Sequence, residues 1–194
     1  MKTARIALLL AGASFVCAAP AAADPAVGKP APAFEILDEN DVTQRLADHR
    51  GKIVVLEWTN PDCPFVARHY KSDTMEKLSA EYGGKQVVWL AVNSTHYNKP
   101  EDTRAWRDAQ GFSYPTLQDA AGDVGHAYGA RTTPHMFVID PEGKLAYKGA
   151  IDDDPRGRNA TPANYVSAAL HNMANDTEPD PSQTRPYGCS VKYE

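Results

Sequence analysis

The segment GKIVVLEWTNPDCPFV, residues 51–66, decides which fold the sequence predicts. Residues 52–59, KIVVLEWT, are mostly apolar and include β-branched side chains, which is typical of a strand buried on both faces. Apolar residues at helical spacing then run from Cys63 to about Tyr82, where two glycines close the pattern. A single cysteine therefore stands between a buried strand and a helix.

The alternation of strand and helix continues along the chain. Residues 86–94, QVVWLAVNS, predict a second buried strand, and residues 99–111, KPEDTRAWRDAQG, predict a helix with Pro at its start and Gly at its end. HMFVID at 135–140 and KLAYKGAI at 144–151 flank the turn PEG and predict an antiparallel strand pair. A last helix is expected over residues 161–174, TPANYVSAALHNMA, with the Thr as N-cap.

These elements predict an α/β fold with a mixed central β-sheet and helices on both faces. The strand–helix–strand order at the front implies a right-handed parallel crossover, and the short turn at the back implies an antiparallel edge. Two short strand patterns, AFEIL at 33–37 and VTQRL at 42–46, flank the turn signal DEND and predict an N-terminal β-hairpin.

The first 23 residues predict a secretory signal peptide. Lys2 and Arg5 precede an apolar stretch that is too short to span a bilayer, and small residues offer a cleavage site after Ala23. A lipid anchor at Cys17 is the alternative. The sequence therefore predicts an exported protein, with the periplasm of a bacterium as its compartment.

Residues 24–175 are expected to form one domain with a substantial core, and residues 176–194 a Pro-rich tail. Removal of the two basic residues of the signal peptide changes the formal net charge from −5 to −7. The remaining chain has no cluster of Lys and Arg, which argues against binding to nucleic acid or an anionic membrane. No later segment approaches the ~20 apolar residues of a membrane span.

Only Cys63 and Cys189 remain once the signal peptide is removed. Two cysteines are too few for a disulfide scaffold, and in an oxidising compartment two thiols either pair or persist because they react. The residues alone leave four roles open for Cys63: a nucleophile, half of a disulfide, a metal ligand, or a packed side chain.

Four features of the chain resemble the redoxin group of thioredoxin-fold proteins, which includes the AhpC/TSA peroxiredoxins and periplasmic thiol–disulfide oxidoreductases. They are VGKPAPAFEILDEN at 27–40, the segment 51–66, TTPHMFVIDPEGKLAYKGAIDD at 132–153, and the order and spacing of these three. The resemblance covers Val27 to Asn175. It implies that Cys63 opens the first long helix, and that Thr133–Pro134 is a cis peptide beside it that presents backbone groups to a substrate.

The chain also departs from its two nearest groups. Thioredoxin-like reductases carry a second cysteine three residues after the first, where this chain has Val66. Peroxiredoxins carry Thr or Ser three residues before the reactive cysteine, where this chain has Asn60. The segment from Asn60 through Cys-Pro-Phe to Val66 most resembles the peroxiredoxin-like members.

Local sequence favours a reactive thiol at Cys63. Asn60 is predicted to be the N-cap, with Pro61 at the first helical position, so that Cys63 lies in the first turn near unpaired N–H groups. Lowering a thiol pKa of about 8.5 by two units requires about 2.7 kcal/mol, whereas a helix terminus supplies at most ~2 kcal/mol. A cation is therefore expected to help, and Arg131, just before Thr133, is the predicted one.

Cys189 is predicted to pair with Cys63 across a long loop. It would be a resolving cysteine that attacks oxidised Cys63, the second half of a catalytic disulfide, or one end of a static brace, which chain entropy favours by up to ~4–5 kcal/mol. The sequence does not decide whether the two cysteines belong to the same chain, nor the oligomeric state.

The leading functional prediction is an exported antioxidant enzyme that reduces peroxide through a sulfenic acid at Cys63, resolved by Cys189. One alternative is a thiol–disulfide oxidoreductase that acts on protein thiols or disulfides. The other is a non-catalytic binding or metallochaperone module with a structural Cys63–Cys189 disulfide. Both enzymatic predictions require an unidentified reductant and no bound cofactor.

A metal site is not predicted. Cys63, His69 and His135 are the nearest candidates for copper or zinc ligands, but none belongs to a C-x-x-C or H-x-x-x-H pair. The three carboxylates of 152–154 lack the spacing of a calcium loop and predict a solvated turn instead.

Overall fold

The computed structural model describes residues 24–84 and 86–194, so the predicted signal peptide lies outside the described residues. The strands are β1 (Glu35–Leu37), β2 (Thr43–Arg45), β3 (Ile53–Thr59), β4 (Val87–Asn93), β5 (Thr116–Gln118), β6 (Thr132–Thr133), β7 (His135–Ile139), β8 (Leu145–Gly149) and β9 (Cys189–Ser190). The helices are α1 (Pro64–Lys71), α2 (Thr74–Tyr82), α3 (Pro100–Gln110), α4 (Asp123–Tyr128) and α5 (Tyr165–Ala174), with a 3₁₀ turn at Leu46–His49.

A five-stranded mixed sheet in the order β5-β4-β3-β7-β8 forms the centre of the fold. β3, β4 and β5 are parallel, whereas β7 runs antiparallel to β3 and β8 antiparallel to β7. β1 and β2 form the separate antiparallel hairpin. The predicted fold class, the hairpin and the order of the sheet's main elements are confirmed.

Every residue of β3 is buried, because apolar side chains cover both faces of the sheet. Val55 belongs to one apolar cluster, together with Cys63, Tyr70 of α1 and Leu170 of α5. Val54 belongs to the cluster on the opposite face. Alternate side chains of one continuous apolar strand thus serve two cores, as expected of a strand at the centre of a sheet.

The predicted helix from Cys63 to Tyr82 is wrong, because two helices occupy this segment. Asp73 lies between them in the left-handed region, with φ 53°. Its N–H donates to the Tyr70 carbonyl at 2.9 Å, and the Ser72 hydroxyl also bonds to carbonyls of the first helix. A left-handed residue cannot continue an α-helix, so α1 ends there.

The start predicted for the last helix is also wrong, by one turn. α5 begins at Tyr165, and its N-cap is Asn164, whose side chain accepts the N–H of Ser167 at 2.8 Å. The Thr161 N–H instead donates to the Asn159 side chain in the preceding loop.

Across the part of the chain that the structure describes, no helix is long and apolar enough to cross a membrane.

Candidate active site

Cys63 occupies the junction between β3 and α1, as the sequence indicates. It is the N-cap of α1, and Pro64 takes the first helical position. The prediction that Asn60 is the N-cap is wrong by one turn. The Asn60 side chain accepts the Asp62 N–H at 2.8 Å, and its carbonyl accepts the Cys63 N–H at 3.0 Å. Asn60 therefore shapes the turn that delivers Cys63 to the helix start.

The Cys63 sulfur is buried, and its residue is only 1% exposed. Burial raises the pKa of the thiol, because an ionised group loses solvation. Hydrogen-bond donation to sulfur from the side chains of Thr133 and Cys189, and from the backbone N–H groups of Val66 and Cys189, outweighs burial. The pKa of Cys63 is therefore lowered below its usual value, by donors that are all uncharged.

Thr133 contacts Cys63 through the loop that ends in a cis peptide. Thr133–Pro134 is cis, as the family resemblance implies. The Cys63 thiol donates to the Thr133 carbonyl at 2.9 Å. The buried Thr133 hydroxyl has no hydrogen-bond partner among the described residues, and its proximity to the sulfur lowers the pKa of Cys63. The carbonyl suits a protonated sulfur and the hydroxyl suits a thiolate, so Thr133 has a partner atom for each state.

Cys189 lies directly against this site. β9 pairs antiparallel with β6 and sets Cys189 opposite Thr133. Both cysteines are free thiols, and Cys189 is half-buried. Burial, and a hydrogen bond to Cys63 that favours its protonated form, raise the pKa of Cys189 to about 11. The structure thus brings together two cysteines that lie 126 positions apart in the sequence.

The segment around Cys189 is held by specific contacts. The Tyr187 hydroxyl bonds to Asp152, Arg68 and His69. The Tyr193 ring stacks on His126 with centroids 4.1 Å apart. These contacts explain how a polar, Pro-rich tail without a core of its own has a defined position on the domain.

The tail approaches the cis-Pro loop at Gly188. Its φ of +138° lies in a region that residues with a side chain rarely adopt. A Cβ at this position would lie 2.1 Å from the Thr133 carbonyl oxygen. Only glycine lets the backbone come this close, and this approach brings Cys189 to Cys63.

Arg131 does not take the place predicted for it. Its guanidinium pairs with Asp24 at 3.1 Å, and the side chain is 70% exposed. Its backbone contributes instead, because the Arg131 carbonyl accepts the Val191 N–H at 3.1 Å and so extends the pairing of the tail. The cation expected beside Cys63 is replaced by the neutral donors described above.

Glu57 is a residue that the sequence analysis missed. Its carboxylate is fully buried and accepts from Tyr70 at 2.9 Å, Trp89 at 2.9 Å and Tyr114 at 3.3 Å. Burial raises the pKa of Glu57 to about 7, although these hydrogen bonds oppose the shift. The only sequence signal is an acidic residue within the apolar run KIVVLEWT. Because Tyr70 belongs to α1, this carboxyl ties the helix that begins at Cys63 to the sheet.

The candidate metal ligands are not assembled into a site. Among residues 24–84 and 86–194, no three His, Cys, Asp or Glu side chains are placed to hold an ion together. Burial lowers the pKa of His69 to about 4 and that of His135 to about 3.

The prediction of a solvated turn at 152–154 is wrong for Asp152 and Asp154, which are buried.

Comparison with known proteins shows which family the sequence resembles. Residues 27–148 match the AhpC/TSA family. The thiol-disulfide oxidoreductase ResA of Geobacillus thermodenitrificans is 32% identical over 121 residues, 62% of this chain and 67% of that protein. The selenocysteine-containing peroxiredoxin PrxU of Peptoclostridium acidaminophilum is 32% identical over 142 residues, 68% of this chain and 64% of that protein.

A solved structure extends the similarity to most of the chain. An uncharacterized conserved protein from Geobacillus kaustophilus matches with a TM-score of 0.79 at 28% identity, over 87% of this chain and 93% of that one. The fold is therefore thioredoxin-like. The relatives and the family together identify a thiol oxidoreductase, that is, a thiol peroxidase or a thiol–disulfide oxidoreductase.

Proposed function

Because the chain belongs to the AhpC/TSA family, we propose that it reduces peroxides with Cys63 as the attacking thiol and Cys189 as the resolving thiol. The observation that carries this proposal is the pairing of β9 with β6, which sets Cys189 opposite Thr133 and next to Cys63. The pKa of Cys63 is lowered and that of Cys189 is raised to about 11. One sulfur thus ionises for attack while the other keeps its proton until it is needed.

The first step forms a sulfenic acid. The Cys63 thiolate attacks the terminal oxygen of a hydroperoxide, an S–O bond forms, and the O–O bond breaks. The oxygen that leaves takes up a proton and departs as an alcohol, or as water from hydrogen peroxide. Cys63 is oxidised by two electrons and the peroxide is reduced by two.

The second step forms a disulfide. The Cys189 sulfur loses its proton and attacks the Cys63 sulfur, so an S–S bond forms and the S–O bond breaks. The hydroxide that leaves combines with a proton to give water. An external thiol reductant then cleaves the disulfide and is itself oxidised by two electrons, which restores both cysteines.

The burial of Cys63 favours a small oxidant. With only 1% of the residue exposed, the tail must move before anything reaches the sulfur. A peroxide the size of a few water molecules needs a small opening, whereas a protein disulfide needs the whole segment from Tyr187 to Tyr193 displaced. Peroxide is therefore the substrate that the closed arrangement admits most easily.

Thiol–disulfide exchange is the second candidate, and one observation supports it. The pairing of β9 with β6 is an example of an extended, cysteine-containing strand bound beside Cys63. A substrate protein with the same features would use the same backbone groups once the tail had left them.

Three proteins distinguish these functions: the parent, Cys63→Ser and Cys189→Ser. In stopped-flow mixing with hydrogen peroxide, we expect the parent to turn over with a thiol reductant and Cys63→Ser to consume none. Cys189→Ser should react once and stop with a sulfenic acid at Cys63, detected by mass spectrometry. Parental rates for Cys63→Ser would overturn the proposal and favour a non-catalytic role. Slow peroxide reduction with rapid reduction of an oxidised dithiol peptide would favour disulfide exchange.

Export is the second part of the proposal. Lys2, Arg5 and the apolar stretch that follows support a signal peptide, with cleavage after Ala23. N-terminal sequencing of the protein from the periplasmic fraction should begin at Asp24. Recovery of the chain in the cytoplasmic fraction with residues 1–23 attached would contradict export.

A further inference from the structure

A cavity of about 480 Å³ lies beside the first turn of α1. Its lining combines three arginines with three apolar residues: Pro64, Phe65, Arg68, Pro155, Arg156 and Arg158. Pro64 follows Cys63 directly in the chain, so the cavity borders the segment that carries the reactive sulfur. No carboxylate belongs to the described lining, although the chain as a whole is acidic, with a net charge of −5.

The three guanidinium groups are not neutralised by ion pairs. Among the residues that the structure describes, no carboxylate oxygen lies within 4.0 Å of the side-chain nitrogens of Arg68, Arg156 or Arg158. Arg68 Nη2 instead lies 3.1 Å from both the Tyr187 hydroxyl and His69 Nε2. Its guanidinium carbon lies 5.7 Å from the centroid of the Tyr187 ring. Arg68 is therefore positioned by hydrogen bonds to neutral groups and not by a direct ion pair.

The loop that carries the other two arginines is shaped by a buried acid. The Asp154 carboxylate accepts the backbone N–H of Asn159 at 2.7 Å. This bond, further donation from the backbone N–H groups of Arg158 and Arg156, and the nearby charge of Arg68 lower the pKa of Asp154. The acid nearest to the loop thus bonds to backbone donors, and the two arginine side chains remain available to the cavity.

Gly157 fixes this loop against Arg68. Its φ is +63°, and a Cβ there would lie 2.8 Å from the Cδ and Nη1 atoms of Arg68. A larger side chain would push Arg68 away. The loop and the helix therefore meet closely, which brings guanidinium groups from two separate segments to one cavity.

The chemistry of the lining selects its ligand. A guanidinium binds carboxylate oxygens through parallel N–H donors, more specifically than an ammonium does. Phe65, Pro64 and Pro155 offer apolar surface to a hydrocarbon body. We propose that this cavity binds the carboxylate of a small, partly apolar organic substrate and so holds its reactive group beside Cys63. The inference rests on the proposed function, because it names the substrate class of the same site.

Direct binding tests the cavity without any redox chemistry. Hexanoate, hexanol and hexylammonium have the same hydrocarbon chain and differ in charge, and each is titrated into the reduced protein while amide shifts are followed by NMR. We expect hexanoate to shift the amide signals of residues 65–68 and 156–158 and to bind at least about tenfold more tightly than the other two. Added salt should weaken hexanoate binding, because the lining arginines are partly exposed.

Variants show whether the arginines cause this preference. Arg156→Gln with Arg158→Gln should weaken hexanoate binding by about tenfold. Arg45→Gln, at an exposed arginine paired with Glu35, is the matched control and should leave binding unchanged. Equal binding of hexanoate and hexanol, or unchanged hexanoate binding in the double variant, would overturn the proposal.

The substrate carrying the carboxylate is either the reductant or the peroxide, and kinetics separate the two. For the reductant, oxidised protein is treated with 3-mercaptopropionate, 2-mercaptoethanol and cysteamine. For the peroxide, reduced protein is mixed with a six-carbon hydroperoxy acid or its methyl ester. In one of the two series, the compound with the carboxylate should react faster than its partners, and the double variant should lose this preference. That series shows whether the reductant or the peroxide carries the carboxylate.

Two further outcomes are decisive. In each series, the rate for the compound with the carboxylate is divided by the rate for its partner without one. If this ratio is the same in the parent and the double variant for both series, the substrate role is overturned even if hexanoate binds. A protein that binds hexanoate but whose Cys63 reacts with none of these compounds would refute the proposed function and leave the carboxylate site standing. The failures of the two proposals are therefore distinguishable.

Discussion

The start of α1 and the C-terminal strand present two identical side chains to each other, yet they give them opposite chemistry. Cys63 belongs to the main apolar cluster, on a helix that Tyr70 fastens to Glu57. Cys189 lies on a two-residue strand. Donors lower the pKa of Cys63, and burial raises that of Cys189. The environment, and not the residue type, decides which sulfur ionises more readily.

The two regions also differ in how they are attached. The helix start is continuous with the core, so damage beneath it should lower the free energy of unfolding of the whole domain. The tail is held by a few hydrogen bonds and ring contacts, so damage there should release Cys189 locally and leave the domain folded. Substitutions beneath the helix start and in the tail test this difference separately.

The largest effect is expected beneath the helix start, at Glu57. Its pKa is about 7 in the folded protein, against a usual value of 4.5. Between these pH values the folded protein keeps a proton on Glu57 that the unfolded chain has released, so the contribution of Glu57 to stability is greatest below pH 4.5 and is lost as the pH rises to about 7. This contribution to the free energy of unfolding should decrease by about 3 kcal/mol through this range.

Glu57→Gln isolates this contribution, because an amide resembles the protonated acid and does not titrate. Urea unfolding of both proteins from pH 4 to pH 8 gives the difference in stability, and in that difference the contributions of His69 and His135 cancel. We expect the parent to lose about 3 kcal/mol relative to the variant as the pH rises through the range. A constant difference would show that Glu57 is ionised in the folded protein.

On the tail side, Gly188→Ala should separate the two cysteines. The new Cβ would collide with the Thr133 carbonyl, and relieving such overpacking costs about 2 kcal/mol. Disulfide formation after one equivalent of peroxide should slow by about thirtyfold, with sulfenic acid accumulating at Cys63, while the urea midpoint stays near that of the parent. Gly51→Ala is the control, since Gly51 also has a positive φ but open space around it.

A smaller effect is expected at Thr133, which touches both regions. Thr133→Val keeps the shape and removes the hydroxyl that lies near the Cys63 sulfur and favours its thiolate. The loss of one hydrogen bond to a charged group should raise the pKa of Cys63 by about one unit. The pH dependence of alkylation checks this value, and an unchanged midpoint would assign the shift to the other donors.

Much of the fold could be predicted from local sequence. The run of apolar residues in β3 and β4 predicts central strands, and Pro100 and Gly111 mark the ends of α3 correctly. The starts of the helices were harder to predict from the sequence. Before α1, Asn60 with Pro61 and Cys63 with Pro64 are two cap-like pairs three residues apart, and only tertiary structure decides which one begins the helix.

The arrangement of the site depended on contacts distant in sequence. β9 has two residues, too few for a periodic pattern, and it pairs with β6 more than fifty positions upstream. The Arg131 side chain pairs with Asp24, and no local rule predicts that choice. The position of Cys63 at the helix start and the cis-Pro loop were predicted because they belong to a family pattern, whereas the position of the tail could be learned only from the structure.

The central claim is that Cys63 ionises well before Cys189, and their separate titration tests it most directly. Reduced protein is alkylated with iodoacetamide across a range of pH, and mass spectrometry quantifies each labelled cysteine. We predict a midpoint for Cys63 below the usual value of a thiol and a midpoint for Cys189 near 11. A midpoint for Cys63 equal to or above that of Cys189 would contradict the assignment of the attacking and resolving thiols.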